Sequence, residues 1–462
     1  MNNSKSYPLL IYLLGAGGIG MSALGMYFLK HRHAVAGYDR VQGLTTKMLT
    51  ENGAAIITDD NPELIPEEFK NRKSNVWVIY TPAVPADLKI MEYFRINGYS
   101  IYKRAEILGR ITDNHLSFTV AGTHGKTTTT AAITHILKEC GVDCTGFIGG
   151  ISKNFDSNFV SGISDVVVAE ADEYDRSFHY LHPDYAVVTS VEPDHLDIYG
   201  NYENVIEAFR VYASNLKDGG KLLVNEKYSE IFKEACSGII TYGSDSNSDY
   251  YASNVQCSER GINFDFVFNK DTKISAFIPV FGLHNAENTV AAGAIAHQYG
   301  IDAKEICRAL ESFIGVKRRF DVISAAGGKM LIDDYAHHPD EIKALTATLK
   351  RHFPGKKYAA LFQPHLYSRT RDFADEFSDT LSEFHTVLLL DIYPAREKPI
   401  EGVTSSMLLR KISSPEKMLV SKEQVTKYLD NLTFDILVTI GAGDIELLIP
   451  TLKTWMSKRY EC

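Results

Sequence analysis

Short runs of five or six apolar residues recur along this chain, each closing on glycine, hydroxyl or acidic residues and followed by a stretch with helical spacing. A run apolar at every position predicts a strand buried on both faces, and helical stretches between runs supply the crossovers that parallel strands need. The first run, Leu9 to Leu14, leads into Gly15-Ala16-Gly17-Gly18-Ile19-Gly20-Met21-Ser22 and a helix reaching about Lys30. His33 to Tyr38 and Asn75 to Tyr80 predict two more strands, which end at Asp39 and at Thr81-Pro82-Ala83. Leu116 to Ala121, Asp165 to Ala169 and Tyr185 to Ser190 form a second group, and a helical pattern from Ala131 to Glu139 follows the first of them. From about Gly219 to Pro279 the chain reads as strand-rich, with Lys221 to Val224 apolar, Gly261 to Phe268 alternating and a turn at Asn247 to Tyr250. That stretch carries no chemical motif and suits an edge sheet. Gly282-Leu283-His284-Asn285-Ala286-Glu287-Asn288 then opens an alanine-rich helix to about His297. A third group comprises Met330 to Ile332, Tyr358 to Phe362, Thr386 to Leu390, Lys417 to Val420 and Ile436 to Ile440, with Pro339 suited to a first helical position.

The pattern predicts an α/β protein of three domains, each built on a largely parallel sheet. A Rossmann-like N-terminal domain covers 1–113, a P-loop ATPase-like central domain 114–320 and a Rossmann-like C-terminal domain 321–462. The polar break Thr112-Asp113-Asn114 and the basic stretch Gly315 to Phe320 mark the boundaries. A length of 462 residues agrees, at ~150 residues per domain. A net charge of −10 argues against a nucleic-acid or membrane surface and leaves small molecules as the partners. Six cysteines without a C-x-x-C pair or Cys/His metal spacing read as free thiols, with Cys140 and Cys144 packing at a helix end. No basic-then-apolar leader and no membrane-length run is present, which predicts a cytoplasmic protein; monomer and homodimer both stay open.

Candidate chemistry gathers at the strand ends. In Val120-Ala121-Gly122-Thr123-His124-Gly125-Lys126-Thr127-Thr128 the glycines let backbone N–H groups turn onto a phosphate, Lys126 reaches the terminal phosphates and the Thr127 hydroxyl suits Mg²⁺. The loop reads as an ATP clamp, although its first glycine, Gly122, departs from the common spacing. The run Glu170-Ala171-Asp172-Glu173 brings carboxylates to the same edge, where one of them, with Thr127, suffices for a first Mg²⁺. His195 reads equally as a loop histidine or as part of a second metal site. Asn285 and Asn288 suit either a nucleobase edge or a helix cap. Arg319, in the run Lys317-Arg318-Arg319, stands where a cation could swing onto an ATP phosphate. The first glycine turn, Gly17, Gly18, Ile19, Gly20, Met21 and Ser22, suits a diphosphate, Asp39 a ribose, and Thr81 lies at the end of a neighbouring strand. In the third domain the ends carry Asp333-Asp334-Tyr335-Ala336-His337-His338, Gln363-Pro364-His365-Leu366-Tyr367-Ser368-Arg369, Asp391 to Glu397 with Arg396, and Gly441-Ala442-Gly443-Asp444, which together suit a pocket for a small charged molecule.

Over essentially its whole length the chain resembles the Mur ligases. The resemblance is carried by the first glycine turn, Gly122 to Thr127, Glu170 to Glu173, His284 to Asn288, Asp333 to Pro339, Phe362 to His365 and Gly441 to Ile445. Within that family it is most like the branch that joins L-alanine to UDP-N-acetylmuramate in peptidoglycan precursor synthesis. The alternative branch attaches a recycled tripeptide to the same sugar. The resemblance implies that the lactyl carboxylate takes the γ-phosphoryl group of ATP, and that the amine of L-alanine then opens the acyl phosphate. It assigns UDP-sugar, ATP and amino acid to the three domains in order, and Lys126, Glu170, His195 and His337 to catalysis. Mg²⁺ falls to Thr127, Glu170 and His195, ATP to Gly122 through Thr128 with Asn285, Asn288 and Arg319, and the substrates to Gly17 through Ser22, Asp39, Thr81, Tyr335, His337 and Arg369. His337 is the candidate for taking a proton from the amine or for orienting the alanine carboxylate, and Arg369 for gripping that carboxylate with two bonds. Leu366 departs from relatives with a basic residue there, and Ala208-Phe209-Arg210-Val211 has no lysine to be carbamylated. Two other classes compete: a nicotinamide oxidoreductase, which leaves the phosphate loop unexplained, and an ATP-driven switch without bond formation.

Overall fold

The computed structural model describes residues 10–460 apart from 86, 237 and 396, and the backbone alone at 197. Leu9, Arg396 and Cys462 therefore lie outside the described residues. Three sheets form. The first comprises β1 (Leu10–Leu14), β2 (Ala34–Tyr38), β3 (Ala55–Ile57), β4 (Val76–Tyr80) and β5 (Ser100–Lys103), in the order β3-β2-β1-β4-β5 and parallel throughout. Ile11 and Leu13 pack into one core and Leu10, Tyr12 and Leu14 into another, which is why β1 is apolar at every position. The order reverses between β1 and β4, so the glycine turn after β1 and Thr81 after β4 flank the crevice there.

The second sheet holds β6 (Leu116–Ala121), β7 (Thr145–Ser152), β8 (Ser157–Val160), β9 (Val166–Glu170), β10 (Tyr185–Val188), β11 (Lys221–Asn225), β12 (Ile240–Gly243), β13 (Tyr250–Ser258), β14 (Gly261–Phe268) and β15 (Thr272–Ile278). Its order is β15-β14-β13-β12-β11-β10-β6-β9-β7-β8. β6 therefore lies between β9 and β10, with Val120 beside Glu170 and Ala121 beside Val188. Both strands that deliver acidic residues end next to the phosphate loop. The antiparallel pair β7–β8 extends the edge beyond the sequence expectation, and Tyr250 opens a strand rather than closing a turn.

The third sheet contains β16 (Asp321–Ala326), β17 (Lys329–Asp334), β18 (Tyr358–Phe362), β19 (Thr386–Leu389), β20 (Glu416–Leu419) and β21 (Ile436–Ile440), in the order β16-β17-β21-β18-β19-β20. Only β16, unforeseen in the sequence, runs antiparallel to its neighbour. Asp334, Ile440 and Phe362 are in register, so β17, β21 and β18 end on one line. Ala360 and Phe362 face one core while Ala359 and Leu361 face another.

The contacts divide the chain into two compact units. The first runs through Val255 and includes Phe264–Ile278 and His284–Ile314; the second takes Gln256–Asn263, Pro279–Leu283 and the chain from Gly315 onward. Among the described residues no helix is long and apolar enough to cross a membrane.

Candidate active site

The phosphate loop depends on two glycines. Gly122 and Gly125 have φ of +143° and +82°, and a Cβ would fall 1.9 Å from Thr189 Oγ1 at the first and 2.5 Å from Asn288 Oδ1 at the second. The end of β10 braces the loop: the Ser190 hydroxyl lies 2.9 Å from Thr123 Oγ1 and accepts from the His124 amide at 2.8 Å. The following helix runs Lys126–Glu139, not from Ala131 as its apolar pattern suggests. Thr128 to Thr130 are buried in its first turns, where packing overrides the weak helix preference of β-branched residues.

Lys126 Nζ donates to Gly122 O at 2.5 Å and lies 2.7 Å and 2.9 Å from the two carboxylate oxygens of Glu173. Burial would push the lysine down, but Glu173 and Glu170 hold it above its ordinary value. Burial alone would raise Glu173; Lys126 and His195 outweigh it and hold that carboxyl low. Glu170 goes the other way. Burial pushes it up against the pull of Lys126 and a hydrogen bond from Thr127, and the Gly149 amide donates to it at 3.1 Å. A hydroxyl in the first turn of the helix Lys126–Glu139 and a desolvated carboxylate at the end of β9 form a hard-oxygen donor pair that fits Mg²⁺.

His195 is held in a left-handed conformation, φ +52°, with Nε2 3.6 Å from Glu173 Oε1 and Nδ1 3.8 Å from Asp194 Oδ1. The hydrogen bond to Glu173 raises its pKa. Glu173, Asp194 and His195 offer ligand atoms within 4.8 Å of one another. Glu173 and Asp194 have no role in the sequence pattern alone; the three-residue step from Glu170 at a strand end is the available sign for Glu173. His124 Nε2 stands 3.6 Å from Glu192 Oε2. Asn285 and Asn288 are buried on the helix Leu283–Tyr299 and joined by a 3.3 Å hydrogen bond.

The first glycine turn satisfies much of its own backbone. The amides of Gly15 and Ala16 donate to Tyr38 O, that of Gly18 to Gly15 O, and that of Gly17 to Asp39 Oδ2 at 2.7 Å. Asp39, expected on a ribose, secures the turn, its other oxygen accepting from Val41 N at 3.0 Å. Ser22 is likewise internal: its hydroxyl donates to Ile19 O at 2.9 Å and accepts from Asn158 Nδ2 at 2.9 Å. Gly18, Ile19, Gly20, Met21 and Thr81 line a cleft of about 220 Å³ that is also lined by Glu170. Arg104, absent from the sequence reading, lines it too and pairs with Asp172 at 3.1 Å.

In the second unit Arg318 and Arg319 lie over Tyr335, 5.0 Å and 5.6 Å from the ring centre. Arg318 is bound to Asp333 at 3.2 Å, Glu446 at 2.9 Å and the carbonyl of Gly441. His337 Nδ1 is 3.0 Å from Tyr335 O and 3.5 Å from Glu341. Arg369 Nη1 is 3.5 Å from Nδ1 of His365, a residue to which the sequence pattern gives no role of its own. Burial pushes His337 down. Burial, with His337 and Arg369 nearby, takes His365 to about 4. Tyr335, His337, Arg319 and Arg369 are thus brought together.

A P-loop beside strand-end carboxylates that line a cleft edged by a second glycine turn defines an enzyme that activates a substrate with a nucleotide phosphate. Residues 10–115 match the Mur ligase family, catalytic domain, 120–296 the Mur ligase middle domain and 318–449 the Mur ligase, glutamate ligase domain. The chain belongs to the Mur ligase family. It is 43% identical to the UDP-N-acetylmuramate–L-alanine ligase of Cytophaga hutchinsonii over 97% of each chain. It is also 43% identical to the enzyme of that name from Flavobacterium johnsoniae, over 97% of this chain and 98% of that one. Among solved structures it resembles the UDP-N-acetylmuramate-alanine ligase of Thermotoga maritima, with TM-score 0.82 and 26% identity over 97% of this chain and 99% of that one. A murein peptide ligase from Psychrobacter arcticus shares the fold, with TM-score 0.70 and 22% identity over 97% and 98% of the two chains.

Proposed function

We propose that this chain uses ATP to join the amine of L-alanine to the lactyl carboxylate of UDP-N-acetylmuramate, through an acyl phosphate, in peptidoglycan precursor synthesis in the cytoplasm. The observation that carries the reading is a shared cleft: Glu170, beside the phosphate loop, and Gly18 to Met21 line the same space. A diphosphate on the turn would leave the acid end of its sugar facing the phosphoryl donor. The relatives named for this reaction, matched from end to end, support L-alanine over a recycled peptide.

In this reading Lys126 draws off negative charge as the sugar acid approaches the triphosphate. Thr127 and Glu170 would hold Mg²⁺, with His195 at a second ion, and the metal would supply further neutralisation of the phosphates. Gly122 through Thr128 cradle the phosphates, Asn285 and Asn288 meet the base, and Arg319 meets a phosphate. Asp39 and Ser22 shape the turn that receives the diphosphate, next to Thr81. His337 takes a proton from the amine, Arg369 binds the amino-acid carboxylate, and Tyr335 packs against the cations beside them. Residues 1–113, 114–320 and 321–462 serve sugar nucleotide, ATP and amino acid in turn, as monomer or homodimer.

The test is ADP release from ATP with UDP-N-acetylmuramate and single amino acids. Release only when both other substrates are present, and with L-alanine rather than the tripeptide, is the expected result. NAD reduction, or hydrolysis indifferent to both substrates, would overturn it.

A further inference from the structure

Two short pieces of the range 114–320 belong to the second unit: Gln256–Asn263, around the turn between β13 and β14, and Pro279–Leu283. His352 holds both. It is the last residue of the helix Pro339–His352 and is 2% exposed. Its Nδ1 lies 2.8 Å from Ser258 O, and its Nε2 accepts from the Gly282 amide at 3.2 Å. A carbonyl only accepts and an amide N–H only donates, so Nδ1 carries the proton and Nε2 the lone pair, a single neutral tautomer. Burial, with Arg351 beside it, pushes the ring's pKa down and keeps it in that form. Phe281 meets the His352 ring edge-on at 5.1 Å and packs with Phe320 and Phe353, 5.1 Å and 5.6 Å away.

We propose that His352 is a positioning residue for the nucleotide: it fixes Gly282, and through Gly282 the start of the helix Leu283–Tyr299 that carries Asn285 and Asn288. The inference rests on the function proposed above, which gives those two asparagines to ATP, and deepens it. Gly282 is where the aim of that helix is set. Its φ of +90° turns the chain one residue before Leu283, and a glycine there has wide backbone freedom, which the bond from its amide to His352 restrains. Asn288 lies against the phosphate loop, since a Cβ on Gly125 would fall 2.5 Å from its Oδ1. A change of direction at Gly282 therefore displaces both amides from the nucleotide, and displacements of about 1 Å are costly at a reacting site. The helix that ends at His352 begins at Pro339, directly after His337 and His338, and its 14 residues span about 20 Å. One rigid element thus runs from the residues proposed for the amino acid to the backbone that starts the nucleotide helix.

The test separates the two bonds of His352 on the full-length enzyme. His352→Asn keeps a donor near the Nδ1 position for Ser258 O and loses the acceptor for Gly282. His352→Gln brings its carbonyl near the Nε2 position, keeping that acceptor and losing the donor. Each variant gives up one buried hydrogen bond, so their melting temperatures should fall by similar amounts. His352→Asn should raise the Kd for ATP with Mg²⁺, read by titration calorimetry, about 5- to 10-fold, the range of one buried hydrogen bond. KM for ATP should rise in parallel, while KM for L-alanine changes less than about twofold. His352→Gln should keep the Kd for ATP within about twofold of the wild type. Equal weakening in both variants, or an unchanged Kd in His352→Asn, would overturn the inference and leave His352 a role in stability alone. Should His352→Asn not fold, the wild type answers the same question. By reciprocity, ATP with Mg²⁺ should slow hydrogen exchange at the Gly282 amide, and an unchanged exchange rate would overturn the inference. A wild-type enzyme that binds no ATP fails at the earlier reading, before any variant is compared.

Discussion

Glu170 and Glu173 stand three residues apart and are driven in opposite directions. Burial lifts Glu170, while Lys126 and His195 pull Glu173 down despite the same burial. The difference is contact: Glu173 holds Lys126 with both oxygens, at 2.7 Å and 2.9 Å, whereas Glu170 meets a hydroxyl and an amide. Glu173→Gln should therefore lower the pKa of His195 toward or below its ordinary 6.5. Because that pKa is raised in the fold, its stabilising effect is full below the unfolded value and is lost as pH rises through the folded one. The variant should lack this alkaline loss. Histidine titration by NMR checks the first point and melting against pH the second; an unmoved His195 would assign its shift to Asp194. Lys126→Ala should abolish turnover, by about 10³-fold or more on the scale of lost electrostatic stabilisation, while the circular dichroism of the fold is unchanged. Retention of most activity would remove the loop from the chemistry.

At the scale of elements, the runs that are apolar at every position were legible because burial on both faces leaves no polar side. β1, β10 and β18 read that way throughout, and β6, β9 and β21 do so apart from Ser117 and Thr119, Glu170 and Thr439. Less regular strands did not. β16, with Asp321 and Ser324, and the β7–β8 pair, with four hydroxyl or amide residues among Ser152, Ser157, Asn158 and Thr145, have no such run; pairing along a sheet edge, not pattern, makes them strands. The helix at Lys126 began five residues early because the threonine string is drawn into the core by tertiary packing. Gly125→Ala tests how tightly the loop is held. Its φ of +82° and the Asn288 contact predict a loss of about 1–3 kcal/mol, read as a lower melting temperature. An unchanged melting temperature would mean the loop relaxes freely.

At the scale of the whole molecule, the cores that hold Ile11 and Phe209 on one side and Ile342 and Phe362 on the other belong to separate compact units. Calorimetry should resolve two transitions. ATP with Mg²⁺ should raise the one belonging to the first unit, by about 2.7 kcal/mol at a hundredfold excess over its dissociation constant, and Lys126→Ala should erase that shift. A single transition, moved as a whole, would show that the units unfold together.

What the chain determined by itself were its buried strands, the glycine loops and the residue types at strand ends, because these follow from local spacing and backbone freedom. Which of those residues meet was decided only in three dimensions. Glu173 on Lys126, Asp39 on the Gly17 amide, Arg104 on Asp172 and His337 beside His365 join positions 22 to 68 residues apart, and strand order, which no local pattern encodes, brings each pair together.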